Sequence, residues 1–240
     1  MTVVIAHRGA SVARQQNTLE AFRIAVEMGA DWIELDVRRS RDDVLIISHD
    51  AHLPDGRFIV SYDYEDLPEW VPTLAEALEA CSGAKVNIEV KNEPDDPDYD
   101  AQHQISDATV GLALAYRPTD ELLFTSFNLD TVKRIQAVNS DLSVGLVTGF
   151  DVMQVQMLLD YAVEAGMDAV IPYDRTVDRR FIERAHDAGL TANTWTVNEP
   201  TRMRELIDIG IDGLISDTPD VAREVVDSYG TNADAGQAST

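Results

Sequence analysis

Three times in this chain a helical stretch stops at a glycine, and an aspartate two residues later enters a short apolar run. The three copies read Glu27-Met28-Gly29-Ala30-Asp31-Trp32-Ile33, Ala165-Gly166-Met167-Asp168-Ala169-Val170 and Ile209-Gly210-Ile211-Asp212-Gly213-Leu214. Glycine just past a helix accepts the left-handed backbone that closes it. A helix that hands over at once to a buried strand, again and again, argues for repeated βα units around a parallel sheet. Apolar runs suggest strands at 3–6, 32–37, 44–48, 86–90, 122–126, 143–147, 169–172, 191–197 and 213–216. Helical patterns fall near 18–28, 73–81, 100–116, 130–139, 152–165, 178–188 and 200–209. A length of 240 residues suits a single (β/α)8 barrel of the TIM type. Nine strand candidates for eight places leave one peripheral.

The pair 32–37 and 44–48 has no helix between its members. If both run parallel, the seven residues of 38–44 must return extended, a reach of roughly 23 Å that just suffices. Asn17, with Glu20 three residues on, reads as the N-cap and capping box of the first helix. The barrel is expected over 1–229, with the polar segment 230–240 as a disordered tail.

Charge narrows the function. The net charge is −24, from 43 acidic against 19 basic residues, and only Lys85, Lys91 and Lys133 are lysines. Such a chain repels a nucleic-acid backbone, so a general DNA or RNA binder is excluded. An acidic, lysine-poor surface suits a high-salt cytoplasm, where screening weakens self-repulsion. The lone Cys81 excludes an intramolecular disulfide. The apolar run at the N-terminus is short for a signal peptide, and no stretch is long enough for stable membrane insertion. The expectation is a cytoplasmic protein.

Chemistry-bearing residues gather in three strand-like stretches. These are Ala6-His7-Arg8-Gly9, then Ile33-Glu34-Leu35-Asp36-Val37 leading to Ser48-His49-Asp50, and Asn87-Ile88-Glu89-Val90-Lys91. Side chains alternate along a strand, so Glu34 and Asp36 share one face, as do Asn87, Glu89 and Lys91. Carboxylates buried without a partner are costly, and such a face calls for a cation. Three carboxylates (Glu34, Asp36 and Glu89) without thiols suit a hard ion, Mg²⁺ or Ca²⁺, with Mn²⁺ also admissible. Zn²⁺ would more often recruit the histidines. Arg8 and Lys91 bring positive charge suited to phosphate oxygens. His7 and His49 remain for proton transfer near neutral pH. All are expected at one rim of the barrel, where strands end. Together they read as phosphoryl chemistry on a diester. Trp195 at a strand end is either core or a platform for the substrate's carbon skeleton. His52, His103 and His186 read as solvated.

Taken in order, these segments resemble the glycerophosphodiester phosphodiesterase family over nearly the whole chain. His7-Arg8-Gly9, Asn17-Thr18-Leu19-Glu20-Ala21-Phe22, Gly29 through Val37, and Ser48-His49-Asp50 with Leu53 are similar to family motifs. So are Val71 through Leu78, Asn87 through Lys91, Thr125-Ser126-Phe127, Trp195 through Asn198, and Gly210 through Pro219. The resemblance implies a (β/α)8 barrel that cleaves small-molecule glycerophosphodiesters to glycerol phosphate and an alcohol. It implies one divalent cation on Glu34, Asp36 and Glu89, His7 and His49 as the acid–base pair, and Arg8 and Lys91 on the phosphate. It further implies attack by a glycerol hydroxyl to give a cyclic phosphate, which water opens.

Gln15-Gln16 replaces the family's usual Pro-Glu, and Pro54-Asp55-Gly56-Arg57 replaces its Arg-Thr-Thr run before a short insert to Pro72. Both departures fall on the substrate side. Three rivals stand beside this reading: a lipid-cleaving relative, such as a lysophospholipase D or sphingomyelinase D, a metal-dependent lyase with Lys91 as base, and a non-catalytic phosphate-ester binder.

Overall fold

In the computed structural model, which describes residues 1–149 and 152–237, the recurring glycine and aspartate close the base of a barrel. Gly29, Gly166 and Gly210 have φ of 81°, 65° and 95° and turn the chain out of its helix. Each aspartate then grips the preceding strand. Asp31 Oδ2 accepts from the Val4 N–H at 2.8 Å, Asp168 Oδ2 from Val144 at 3.0 Å and Asp212 Oδ2 from Ala192 at 2.8 Å. In return the three aspartate N–H groups donate to the carbonyls of Val4, Val144 and Ala192, at 2.9, 2.9 and 3.0 Å. The motif is thus a two-bond clasp between neighbouring strand bottoms, which satisfies backbone donors at the end of a ladder.

The strands are β1 (Val3–His7), β2 (Trp32–Arg39), β3 (Leu45–Ile47), β4 (Lys85–Val90), β5 (Leu122–Ser126), β6 (Ser143–Val147), β7 (Ala169–Ile171), β8 (Thr191–Thr194) and β9 (Gly213–Ser216). The helices are α1 (Leu19–Glu27), α2 (Leu74–Ala80), α3 (Gln104–Tyr116), α4 (Leu129–Val138), α5 (Val152–Glu164), α6 (Arg179–Asp187), α7 (Pro200–Asp208) and α8 (Pro219–Gln237). Eight parallel strands pair in the ring β1-β2-β4-β5-β6-β7-β8-β9, closed by β1 against β9. The chain is a single-domain (β/α)8 barrel.

Alternation divides the core into two layers. Val4, Ala6, Ile33, Leu35, Val37, Val86, Ile88 and Val90 point outward and pack under the helices with Phe22, Leu74 and Phe124. The inward set is Ile5, Leu123, Val147, Ala169, Ile171 and Ile215. The inward positions of β2 and β4 instead carry Glu34, Asp36, Asn87 and Glu89, all buried. The outer layer supplies the apolar burial that offsets placing charge inside.

Several expectations change. The peripheral strand is β3, and it runs antiparallel to β2, with Val37 opposite Ile47 and Arg39 opposite Leu45. No extended return is needed, because β2 overshoots the rim and folds back through a tight turn where the Ser40 N–H donates to the Val44 carbonyl at 3.0 Å. The first helix is capped by Thr18, which accepts from the Ala21 N–H, and not by Asn17. A capping box does form on α2, between Thr73 and Glu76. Strand β8 ends at Thr194, three residues short of the apolar run, and α3 starts at Gln104 rather than near 100.

Helix α8 was absent from the expected set, although Pro219 opens it and Ala222, Val225 and Val226 recur at helical spacing and are buried. Its backbone continues through 230–237, a segment read from composition as a disordered tail; 238–240 lie outside the described residues. Among the described residues no helix is long and apolar enough to cross a membrane.

Candidate active site

The end of β1 is shaped by one glycine. After His7 the chain turns left-handed through Arg8 (φ 58°) and Gly9 (φ 79°) and passes under α1. A Cβ on Gly9 would lie 2.7 Å from the Ala21 carbonyl carbon and 2.8 Å from its oxygen. Gly9→Ala is therefore expected to destabilise the protein by about 3 kcal/mol, from steric overlap plus the left-handed backbone. A urea midpoint unchanged from the parent would contradict this. The turn aims the Arg8 N–H at Glu34 Oε2 (2.9 Å) and brings its Nε to 3.3 Å from Asp36 Oδ2. Arg8 Nη1 donates to Gln16 Oε1 at 3.0 Å, so one of the two departures from the family pattern touches the site directly.

Strand register assembles the carboxylates. His7 sits opposite Glu34, Glu34 opposite Asn87, and Asp36 opposite Glu89. Glu34, Asp36 and Glu89 each offer an oxygen within 4.8 Å of the others. Lys91 Nζ donates to Asp36 Oδ1 at 3.1 Å and also to Glu89 Oε1. Asn17, left-handed at φ 57°, donates from Nδ2 to Asp36 Oδ2 at 2.8 Å. Asn17 is thus a support for the Asp36 carboxylate rather than a helix cap.

Burial and then the charges of Asp36 and Glu89 hold the Glu34 carboxyl well above its ordinary value, against the pull of Arg8 and Lys91. Asp36 is equally buried, but Lys91, Arg8, His49 and the Asn17 amide together hold it low. The donor set fits a hard divalent cation: all oxygen, clustered and short of positive charge. Three carboxylates against Arg8 and Lys91 leave one negative charge. A divalent ion reverses that to one positive, the complement of a phosphodiester.

The two histidines are held differently. His7 Nδ1–H donates to Asp217 Oδ1 at 2.6 Å. Asp217 also accepts from Asn198 Nδ2 at 2.7 Å and Ser11 Oγ at 3.0 Å. Burial would raise the Asp217 carboxyl, but the bonds from His7 and Asn198 hold it down at about 2. An ionised Asp217 only accepts, so His7 keeps its proton on Nδ1 and turns Nε2 away from this carboxylate. His49 arrives by the hairpin: the Ser48 N–H donates to the Asp36 carbonyl at 3.0 Å, which fixes the next residue beside the triad. Its Nδ1 lies 2.7 Å from Asp50 Oδ1. Burial pushes His49 below the usual imidazole value, with Lys91 and Arg8 adding to it and Asp36 and Asp50 opposing.

A cavity of about 50 Å³ is lined by His7, Arg8, Glu34, His49, Glu89, Lys91 and Trp195 over an apolar floor of Val147, Ile171 and Ile215. Seven of the eight residues singled out from the sequence line it, and the eighth, Asp36, meets two of them, Arg8 and Lys91. Trp195 Nε1 donates to the Thr148 and Ile171 carbonyls, both at 3.2 Å, and its ring meets Phe127 edge-on at 5.5 Å. Phe127, Asn198 and Asp217 lie in segments that carry the resemblance but had no role assigned, and Ser11 and the role of Asn17 carry no signal in the sequence. His103 is not solvated in a helix; it sits at the N-cap position of α3 without a side-chain capping bond, and Asn92 Nδ2 donates to its Nδ1 at 3.2 Å. His186 pairs with the clasp residue Asp212 at 2.8 Å.

Fold and site together define a barrel hydrolase of phosphoric diesters. The sequence profile of the glycerophosphoryl diester phosphodiesterase family matches residues 7–221, and the chain belongs to that family. A glycerophosphodiester phosphodiesterase of Caldanaerobacter subterraneus is 27% identical over 94% of this chain and 98% of its own. The crystal structure of a putative glycerophosphoryl diester phosphodiesterase from Silicibacter pomeroyi superposes with a TM-score of 0.84, at 25% identity over 96% of this chain and 94% of that one. An Oleispira antarctica phosphodiesterase in complex with the product sn-glycerol-3-phosphate superposes at 0.83, with 25% identity over 95% of this chain and 97% of that one.

Proposed function

We propose that this enzyme hydrolyses small glycerophosphodiesters to glycerol phosphate and an alcohol, with one divalent cation, Mg²⁺ or Ca²⁺, on Glu34, Asp36 and Glu89. The observation that carries this reading is a cluster of three buried carboxylates, two of which share a cavity with two basic side chains and two imidazoles. When bound, the cation neutralises charge on the non-bridging oxygens of the phosphate. Arg8 and Lys91 add positive charge on that group and orient it.

One imidazole takes the proton of a glycerol hydroxyl as its oxygen bonds to phosphorus. The other gives its proton to the head-group oxygen as that P–O bond breaks, which leaves a cyclic glycerol phosphate. Water then opens the ring with the two roles exchanged: the imidazole that gave a proton takes one from water, and its partner returns one to the ring oxygen. The Nδ1–H to Asp217 bond supports His7 as a group that presents a single, fixed nitrogen.

Phosphorus NMR tests the reading directly. Glycerophosphocholine, glycerophosphoethanolamine and glycerophosphoglycerol, each with Mg²⁺, Mn²⁺ or Ca²⁺, should yield glycerol phosphate with a transient cyclic species. Turnover that needs no divalent ion, or product formed with no cyclic species at any time, removes the corresponding step.

The acidic, lysine-poor composition further supports a protein of a high-salt cytoplasm. Its melting temperature is expected to rise steadily from dilute buffer to molar KCl. An equal melting temperature in both would end that proposal.

A further inference from the structure

Of the two imidazoles, His7 is gripped by its ring and His49 is not. The His7 ring bonds Asp217, which two further donors hold in place. The His49 ring meets Asp50, the next residue in the chain, whose side chain is 55% exposed. A pair so open to water contributes under about 1 kcal/mol and fixes little. Whatever places His49 in the catalytic cavity must therefore act on its backbone.

One anchor is the bond from the Ser48 N–H to the Asp36 carbonyl. The other is Arg38, whose Nε donates to the His49 carbonyl at 3.0 Å. Arg38 lies two residues beyond Asp36 and so continues the inward face of β2 past the rim. It is 3% exposed, and its terminal nitrogens are taken by carboxylates: Nη1 by Asp98 at 2.8 and 2.9 Å, and Nη2 by Asp96 at 2.8 Å. Both aspartates belong to the loop between β4 and α3, which starts just past Glu89 and Lys91. Asn92 closes that loop. Its Oδ1 accepts from the Asp100 N–H at 2.7 Å, and its Nδ2 donates to the Asp100 carbonyl and to Thr131 Oγ1 on α4, both at 3.1 Å. The guanidinium is thus a three-way clip among the end of β2, the loop after β4 and the backbone of His49.

Stability alone is a poor reason for such a group. A buried arginine between carboxylates loses much of its Coulomb gain to desolvation, and apolar side chains of similar volume often serve a fold as well. An apolar side chain cannot hold a carbonyl and two carboxylates at fixed angles in one plane. A guanidinium fork can.

We propose that Arg38 is a positioning residue for the reaction, holding the backbone of His49 so that its imidazole stays in register with the carboxylate cluster. The inference rests on the proton-transfer role read for His49 above. It adds the residue through which the loop after β4 bears on that role.

The test is a cycle of four proteins: the parent, Arg38→Lys, His49→Ala and the double variant, assayed on glycerophosphocholine with Mg²⁺. Lysine keeps the charge opposite Asp96 and Asp98 but offers one nitrogen in place of the fork. In the parent background Arg38→Lys should lower kcat about thirtyfold, the scale of a sub-ångström misplacement, and change KM less than about twofold. In the His49→Ala background the same exchange should lower kcat less than about twofold, because the group it serves is gone. An unchanged kcat in Arg38→Lys, or equal losses in the two backgrounds, overturns the positioning role and leaves the phosphodiesterase reading standing. Turnover by His49→Ala equal to the parent's overturns the role of His49 and the proposal with it. Should Arg38→Lys fold poorly, Asp96→Ala decides, since the Asp96 side chain is 29% exposed and its loss frees Nη2 alone. Then kcat should fall about threefold with His49 present and stay unchanged without it. Equal effects in the two backgrounds overturn the proposal.

Discussion

His7→Ala is expected to lower turnover of a glycerophosphodiester by roughly 1,000-fold, within the range that general acid–base groups contribute. Divalent-cation binding, measured by calorimetry, should stay close to that of the parent, because His7 offers none of the three clustered oxygens. Asp217→Asn should act through the same imidazole. An amide at 217 can donate to Nδ1 and favour the wrong tautomer, so turnover is expected to fall about 100-fold with an altered pH profile. His49→Ala should match His7→Ala on alkyl head groups. With a nitrophenyl head group, which departs without needing a proton, the loss should shrink for the imidazole that protonates the leaving oxygen and persist for the other. Turnover above a tenth of the parent's in His7→Ala would remove the proton-transfer role.

Glu34→Gln is expected to weaken cation affinity by roughly 100-fold or more, since it removes the charge of one of the three clustered carboxylates. The sign of its effect on stability depends on the ion. In the cation-free protein the Glu34 carboxyl is held above its ordinary value of 4.5. Through the window that starts there and rises to the folded value, the native state keeps a proton that the unfolded state has released. Stability contributed by this group is therefore full below the window and is lost as pH rises through it. Saturating cation favours the ionised form and should abolish or reverse that slope. Gln at 34 mimics the protonated acid, so the variant should lose both the slope and the rise in melting temperature that the cation gives the parent. A parent whose stability ignores divalent ions across this window would mean that the three oxygens hold none.

The alternation of β2 and β4 made the inward set legible in advance, because period two is local and needs no partner to be read. Glu34, Asp36, Glu89 and Lys91 follow from it as soon as the apolar positions are assigned outward. The glycine that ends three of the helices was equally readable, and so was the barrel. The aspartate beside that glycine was seen as a pattern, but its job was not: its carboxylate meets an N–H on the strand before it.

Residue order by itself determined which side chains would face inward and which chemistry they would carry. Tertiary structure alone decided how the inward groups are held. Asp217 lies 210 residues from His7 and reaches it only because β9 closes the ring against β1. His49 reaches the carboxylates because β3 turns back along β2, and the two directions of that strand leave the same apolar pattern in Leu45, Ile46 and Ile47. Asn17 acquires its partner from β2, against which the loop before α1 folds. Periodicity specifies a face, which one segment settles for itself; a partner across the barrel is fixed only by ring closure, which no single segment encodes.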